Sequence, residues 1–232
     1  MKKYDTAQIR NVALVGSKGV GKTTIVEAAL FSSKATGRQG SVDDGNSILD
    51  YDPIEVDRKQ SITSKVTPVE FSGKKINLID TPGYADFIGE AVGSMAVADV
   101  VCCVVDSVNG ADVATVRLDG YAKKFGRARV FFVNKVDAER ADVDSALASI
   151  KDKLASGAAL FQMPIGGGAS FKGVVDLLNM RAYVNEGGNS KETDVPADMA
   201  GEAKEKRTAL MEAIAESDEA LLEKYLESGE LS

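Results

Sequence analysis

The chain has 232 residues, of which 44% are hydrophobic and 27% charged, with a net charge of −7 and no histidine. This length can bury a full core and lies between one large domain and two small ones. The negative charge argues against direct nucleic-acid binding by this segment. The N-terminus does not resemble a signal peptide, and no apolar run is long enough to span a membrane. We therefore expect a cytoplasmic protein that lacks the commonest general base.

The first two-thirds of the chain alternates short apolar runs with helical patterns. The runs predicted as strands are Asn11–Val15, Ile76–Ile79, Val100–Val105 and Val130–Val133. Continuous runs of this kind are typical of parallel strands covered on both faces. Helices are predicted at Lys22–Phe31, around Ala91, and from Val113 to a C-cap at Gly126. The alternation predicts a three-layer α/β fold with a mostly parallel sheet.

One stretch of this part breaks the alternation, and one predicted strand contains the two cysteines of the chain. Residues 32–65 have no sustained period, which indicates a functional loop or a disordered one. Cys102 and Cys103 are adjacent in an apolar run, so in a strand they point to opposite faces. We interpret them as packed thiols in a reducing compartment rather than as a redox or metal site.

The last third of the chain has a different organisation. Short segments at Phe171–Leu178 and Arg181–Val184 precede a charged helical tail. Pro196 is predicted in the first turn of a helix, Ser217 as the N-cap of the next helix, and Gly229 as its end. The apolar residues predicted to face inward are Ala203, Leu210, Ile214, Leu221, Leu222, Tyr225 and Leu226. We predict a core at residues 1–157 and a small inserted α+β subdomain at residues 158–232.

A phosphate-binding motif follows the first predicted strand and opens a helix. It consists of Gly16, Ser17, Lys18, Gly19, Val20, Gly21, Lys22 and Thr23, followed by Thr24. Its glycines let backbone N–H groups approach the phosphates, and the helix N-terminus adds positive partial charge. Lys22 is predicted to neutralise the β- and γ-phosphates, and the Thr23 hydroxyl to ligate Mg²⁺. The motif predicts a P-loop NTPase fold.

Two further motifs follow later predicted strands. Asp80-Thr81-Pro82-Gly83 ends the second strand, where Asp80 is predicted to hold Mg²⁺ and Gly83 to donate to the γ-phosphate. Asn134-Lys135-Val136-Asp137 ends the fourth strand, where the Asp137 carboxylate matches the two N–H donors of guanine. Each tetrapeptide alone is consistent with an ordinary turn. Their order at the carboxyl ends of parallel strands predicts a site for GTP or GDP with Mg²⁺.

Together these residues resemble a translational GTPase, and specifically elongation factor G. The resemblance covers nearly the whole chain, including Asp80–Phe87, Arg58–Thr63, Phe171–Leu178 and Pro196–Met199. It implies that Ser61 is a further Mg²⁺ ligand, and that the ribosome and its stalk protein are partners of a monomer. The family also has a guanine-contacting loop after the inserted subdomain. No candidate for that loop precedes Ser232, so we expect a chain that stops inside the GTPase domain.

The sequence departs from the elongation factor G pattern at catalytic positions. Tyr84 occupies the place of a histidine that the family uses to position the attacking water, and it is the catalytic candidate together with Lys22 and Gly83. Ser17 and Gly19 replace the usual histidine and aspartate of the phosphate loop. The leading hypothesis is a ribosome-stimulated GTPase that drives translocation. The alternatives are a slowly hydrolysing ribosome-associated switch, for protection or recycling, and a small regulatory GTPase unrelated to translation.

Overall fold

The computed structural model describes residues 3–186 and 189–229. The chain divides into two compact units. The first contains Met1–Lys135 and Ser145–Ser149, and the second contains Val136–Asp144 and Ile150–Ser232. The domain boundary predicted after residue 157 stays a prediction.

The first unit is built on a five-stranded sheet. Its strands are β1 (Ile9–Val15), β2 (Lys65–Phe71), β3 (Lys74–Asp80), β4 (Val100–Asp106) and β5 (Ala128–Asn134). They lie in the order β2-β3-β1-β4-β5, with β1, β3, β4 and β5 parallel and β2 antiparallel to β3. The mostly parallel sheet predicted from the apolar runs is therefore confirmed.

Helices cover both faces of this sheet. They are α1 (Lys22–Ser32), α2 (Pro53–Arg58), α3 (Ile88–Val97) and α4 (Val113–Lys124). A further helix, α5 (Val143–Lys153), belongs to the first unit only through its residues Ser145–Ser149. On one face, Met95 of α3 and Leu118 of α4 pack against Val15 and Cys103. On the other face, Val26 and Leu30 of α1 pack with Leu14 and Val104. These layers confirm the predicted three-layer α/β fold.

The two cysteines behave as packed thiols. Cys103 belongs to the core under α3 and α4, whereas Cys102 packs on the face that α1 covers. Both thiols are free. Burial raises the pKa of Cys102 to about 11 and the pKa of Cys103 still further, so both stay protonated near neutral pH.

The second unit is an antiparallel sheet with two helices. The strands β6 (Gln162–Ile165), β7 (Gly173–Asp176), β8 (Arg181–Glu186) and β9 (Asn189–Asp194) are hydrogen-bonded in chain order. The helices are α6 (Ala200–Ala215) and α7 (Glu219–Ser228). The core of this unit brings together Met163, Val175, Leu210 and Met211. This arrangement confirms the α+β character that was predicted for the last third of the chain.

Several local predictions were wrong. Helix α6 begins at Ala200, so Pro196 lies before the helix rather than in its first turn. Asp218, not Ser217, caps α7, because its carboxylate accepts from the N–H groups of Ala220 and Leu221. Leu222 and Leu226 are 38% and 76% exposed instead of facing inward. Helix α7 packs against α6 and turns Tyr225 toward the core of this unit, which leaves Leu222 and Leu226 on its outer side.

Two further differences lie in the first unit. Strand β2 was not predicted, because Lys65–Phe71 alternates buried and exposed residues around Pro68 and has no continuous apolar run. Strand β5 is not covered on both faces, since Val130 and Phe132 are 53% and 42% exposed. Helix α1 lies over β2 and β3. It does not reach the face of β5 on which Val130 and Phe132 are exposed.

No helix among residues 3–186 and 189–229 is long and apolar enough to cross a membrane.

Candidate nucleotide-binding site

The phosphate loop connects β1 to α1 in a conformation that requires glycine. Gly21 is the N-cap of α1 with φ +96°, and a Cβ atom there would lie 2.3 Å from Nδ2 of Asn134. A Cβ atom at Gly16 would lie 2.5 Å from the carbonyl oxygen of Val104. Larger residues at these two positions would push the loop away from β4 and β5. The loop is therefore held against the carboxyl ends of the parallel strands, where ligands bind in this class of fold.

Lys22 places a buried cation inside the loop. Its side chain is 6% exposed, and its Nζ atom donates to the carbonyl oxygens of Gly16 and Ser17, both at 2.9 Å. Burial lowers the pKa of Lys22 to about 8, against the charges of Asp80 and Asp112, which act to raise it. The ammonium is therefore still the main form at neutral pH, and it is ready to meet an anion.

Three predicted metal ligands come together beside α1. The Thr23 hydroxyl donates to Oδ2 of Asp80 at 2.7 Å and lies 3.4 Å from the Ser61 hydroxyl. The other carboxylate oxygen of Asp80, Oδ1, is buried without a hydrogen-bond partner. Hydroxyl and carboxylate oxygens are the donors that Mg²⁺ prefers. The orphaned oxygen and the donor set fit a magnesium ion.

The electrostatics of Asp80 lead to a first test. Burial raises its pKa to about 6 from an ordinary 3.8, partly offset by the Thr23 hydrogen bond and by Lys22. The folded chain therefore binds this proton more tightly than the unfolded chain, so stability from Asp80 is present below about pH 4 and is lost as the pH rises through about 6.

We expect Asp80→Asn to stabilise the metal-free and nucleotide-free chain by about 1–3 kcal/mol near pH 7, because asparagine avoids the buried charge. Thermal unfolding with and without GTP and Mg²⁺ measures this effect, with exposed Asp86→Asn as the control. The variant should also lose the extra stabilisation that Mg²⁺ gives to the GTP-bound wild type. A variant that is less stable without ligands, or that keeps the Mg²⁺ effect, contradicts this account of Asp80.

Gly83 and Tyr84 lie against the phosphate loop. A Cβ atom at Gly83 would lie 2.6 Å from Nζ of Lys22 and 2.7 Å from the backbone nitrogen of Lys18. The Nζ atom of Lys18 lies over the ring of Tyr84, 4.5 Å from its centroid. Tyr84 is thus in contact with a lysine of the phosphate loop.

Asp112 is a site residue that the sequence analysis missed. Its Oδ2 atom accepts from the Ser17 hydroxyl, and its Oδ1 atom caps α4 by accepting from the N–H of Thr115 at 2.8 Å. Burial acts to raise its pKa, and the bonds from Ser17 and Thr115 outweigh burial and lower it. The signal was an aspartate directly before a predicted helix, which indicates a cap but gives no sign of the long-range contact with Ser17.

The third motif reaches the phosphate loop through Asn134. Its Nδ2 atom donates to the carbonyl oxygen of Val20 at 2.8 Å. Lys135 has a positive φ of 60° and forms an ion pair with Oδ2 of Asp106 at 2.9 Å. Burial acts to raise the pKa of Asp106, but the hydrogen bond and charge of Lys135 outweigh it and lower the pKa. Asp137, two residues further along the chain, belongs to the second unit and has an exposed side chain.

The remaining predicted contact residues lie in the same loop or in the first turn of the helix that follows it. Gly19 has a positive φ of 74°, Val20 is buried among the residues under α1, and Thr24 is in the first turn of α1. The first unit therefore brings together Lys22, Thr23, Ser61, Asp80 and Gly83 around one loop. Their roles toward a ligand stay predictions.

Comparisons with known proteins agree with this arrangement. Residues 7–228 match the model of the elongation factor Tu GTP binding domain. The crystal structure of the protein ttk003000868 from Thermus thermophilus matches with a TM-score of 0.89 and 35% sequence identity, over 97% of this chain and 34% of that chain. This chain thus spans about a third of that protein. Because the family model covers nearly every residue, the chain belongs to the family of elongation factor Tu GTP-binding domains, the GTPase domains of translation factors.

Proposed function

We propose that this chain is the GTP-binding and GTP-hydrolysing domain of an elongation factor G-type protein that drives ribosomal translocation. The observation that carries the proposal is the convergence of Lys22, Thr23, Ser61 and Asp80 around one phosphate loop. The resemblance of Phe171–Leu178 and Pro196–Met199 to the elongation factor G insertion supports that branch of the family over a small regulatory GTPase.

The residues of the first unit divide the work on the phosphates. Lys22 binds the β- and γ-phosphates, and the loop N–H groups of Ser17–Thr24 surround the β-phosphate. Thr23, Ser61 and Asp80 would hold Mg²⁺, which when bound neutralises charge on the β- and γ-phosphate oxygens. Gly83 donates its N–H to the γ-phosphate, so the segment that follows it responds to loss of that phosphate. Water attacks the γ-phosphorus, the bond from that phosphorus to the β–γ bridging oxygen breaks, and GDP and inorganic phosphate are released, with the protons of the water passing to the released phosphate and to solvent. Positioning supplies most of the catalysis.

Guanine selectivity is assigned to the third motif. The Asp137 carboxylate accepts from the N1 and N2 groups of guanine, and the aliphatic stem of Lys135 covers the base. Asn134 supports the phosphate loop through Val20. Adenine offers no matching donor pair, so it would leave the carboxylate without partners.

The proposed partners follow from the family. Translation factor GTPases act on the ribosome, and we propose the ribosome, including its stalk protein, as the partner of a cytoplasmic monomer. The net charge of −7 does not favour direct contact of this segment with nucleic acid.

GTP hydrolysis by the protein in its full natural length, with and without ribosomes, tests the proposal. We expect slow turnover alone and at least about a hundred-fold stimulation by ribosomes, because activation completes the positioning that the free protein lacks. Equal rates with and without ribosomes would contradict a role in translocation.

A second candidate function is a GTP-holding switch on the ribosome that hydrolyses slowly. The contact of Tyr84 with Lys18 favours it, because a phenol ring that faces an ammonium cannot act as a positively charged imidazole does. In that case ribosomes bind the GTP form of the wild type without stimulating hydrolysis. Tyr84→His would then raise the ribosome-dependent rate by about ten-fold or more, within the range of a positioned proton-transfer group.

The matched control for that experiment is Tyr84→Phe, which keeps the ring over Lys18 but removes the hydroxyl. A rate that rises equally in Tyr84→His and Tyr84→Phe would show that the tyrosine hydroxyl, and not the absent imidazole, limits hydrolysis.

A further inference from the structure

The loop between α1 and β2 is anchored by two buried glutamates, neither of which belongs to a nucleotide-binding motif. Both Glu27 and Glu55 have 0% exposure. A buried carboxylate is stable only when its oxygens accept hydrogen bonds or pair with a cation. The partners of each glutamate therefore show what it holds in place.

Glu27, on α1, holds the first part of the loop. Its Oε2 atom accepts from the N–H of Gly40 at 3.0 Å. Its Oε1 atom accepts from the Ser47 hydroxyl and the Ile48 N–H, both at 2.7 Å. These bonds fix residues 40–48 to α1, and none of them involves the segment that carries Ser61.

Glu55, on α2, holds the second part of the loop on both sides of Ser61. The N–H of Gln60 donates to the backbone carbonyl of Glu55 at 3.1 Å. The Oε1 atom of Glu55 accepts from the N–H groups of Ile62 at 2.7 Å and Thr63 at 3.1 Å. Ser61 is therefore flanked by residues whose N–H groups both bind to the same glutamate.

Lys65 supplies the charge that lets Glu55 remain buried. Its Nζ atom is paired with Oε1 of Glu55, and the side chains of Lys65 and Glu55 are 2% and 1% exposed. Asp50 also faces Lys65 and Glu55 at this point, and its charge interacts with both. Lys65 is the first residue of β2, so its ammonium group is attached to the sheet. The ion pair with Lys65 in turn holds the Glu55 carboxylate in place.

We propose that Glu55 is a positioning residue for Ser61, whose hydroxyl lies 3.4 Å from that of Thr23. The accepting Oε1 atom of Glu55 holds the Ser61 segment beside Thr23 and Asp80, so it sets how tightly the loop closes on Mg²⁺ and GTP. The inference rests on the proposed role of Ser61 as a metal ligand. Glu27 holds the earlier part of the loop independently of this contact.

The test separates the accepting oxygen from the buried charge. Two double variants share Lys65→Met and differ at one position: Glu55→Gln keeps an accepting oxygen, whereas Glu55→Met has a similar length and none. Both variants lose the Lys65 cation that Asp50 also faces, so this loss is the same in the two and their comparison isolates position 55. Thermal unfolding verifies that both variants fold.

Two measurements compare these variants with the wild type. Limited proteolysis by trypsin reports on the loop at Arg58 and Lys59, both of which are exposed. Titrations with Mg²⁺ report the metal concentration required to bind a non-hydrolysable GTP analogue, and GDP binding without Mg²⁺ is the comparison. Glu27→Gln is a further control. Because Glu27 holds the earlier part of the loop, trypsin should cut this variant faster at Arg38 but not at Arg58.

We expect the Glu55→Gln/Lys65→Met variant to stay close to the wild type in both measurements. In Glu55→Met/Lys65→Met, trypsin should cut at Arg58 and Lys59 at least about ten-fold faster, and the Mg²⁺ midpoint should rise about ten-fold. GDP binding without Mg²⁺ should change by less than about two-fold, because the displaced segment carries no other proposed contact with GDP.

Three results would overturn the inference. They are equal behaviour of the two double variants, a loss of GDP binding as large as the loss of GTP binding, and cleavage that is unchanged at Arg58 and Lys59. A wild type that binds neither nucleotide would refute the proposed function instead. Even then, faster cleavage of Glu55→Met/Lys65→Met without nucleotide would support Glu55 as the anchor of the Ser61 segment.

Discussion

Replacing Lys22 by methionine is expected to lower the affinity for GTP by about 30- to 3,000-fold, which corresponds to about 2–5 kcal/mol. Lys22 is 6% exposed and its Nζ atom is held by two carbonyl oxygens of the loop. The ammonium is therefore already desolvated and aimed before any anion arrives. Methionine fills the same space without the charge, so the loss measures the charge and not the packing.

The chain contains a matched control for this prediction. Lys18 lies in the same loop, but it is exposed and its Nζ atom faces the ring of Tyr84. Lys18→Met removes an equal charge from the same region, and we expect it to change the affinity by less than about ten-fold, since an exposed charge is screened by water. Isothermal titration with GTP and GDP measures both variants. Equal losses in the two would show that general positive charge, not the placed ammonium of Lys22, attracts the phosphates.

The parts of the site that the sequence predicts are those carried by local patterns. Val12–Val15 is predicted as a strand because its residues are all apolar, and Ile76–Ile79 because its apolar run is broken only by Asn77. Parallel strands bring their carboxyl ends to one edge, so Thr23 and Asp80 were expected near each other before any contact was known. Gly21 and Lys22 follow from the same logic, because the turn into α1 needs glycine and the phosphates need a cation.

The parts that escape prediction depend on contacts between distant residues. Glu27 occupies an ordinary helical position, and only the loop 13 to 21 residues later shows why it is buried. Lys65 reads as a surface cation until Glu55 is placed beside it. Asp112 resembles a simple helix cap, while its second oxygen reaches Ser17. Hydrophobic periodicity carries no information on such pairs, because polar partners are chosen by the fold and not by spacing.

The same reasoning explains why strand β2 was missed and α2 was not expected. Strand β2 is an edge strand with one partner. Its exposed positions include Val66 and Phe71 and its buried positions include Lys65, so polarity along the strand does not follow burial. Helix α2 has six residues, too few to be stable by itself. It is fixed by the Asp52 cap and by Glu55, whose bonds lie outside the helix. Both elements exist because of tertiary contacts, and both belong to the segment around Ser61.

Base selection gives the second large effect, and it tests Asp137, a motif residue that lies in the second unit. We expect Asp137→Asn to weaken GDP binding by about 100-fold, or about 3 kcal/mol, because hydrogen bonds to a charged acceptor contribute about 1.5–3 kcal/mol each. One of the two carboxylate oxygens becomes an NH₂ group, which then faces the NH₂ of guanine. Two donors in contact repel each other and leave both unsatisfied.

The same substitution should raise the affinity for xanthosine diphosphate. Xanthine keeps the N1–H donor of guanine but carries a carbonyl oxygen in place of the amino group. Asparagine offers one acceptor and one donor, which match that edge, whereas aspartate has no donor for it. Competition binding with the two diphosphates therefore should show opposite changes, and Asp144→Asn, an exposed carboxylate in α5, should show neither. Since the contact proposed for Asp137 is with the base and not with the phosphates or the metal, the Mg²⁺ dependence of binding should stay as in the wild type. Weaker binding of both diphosphates would mean that Asp137 supports the fold of its loop and does not select the base.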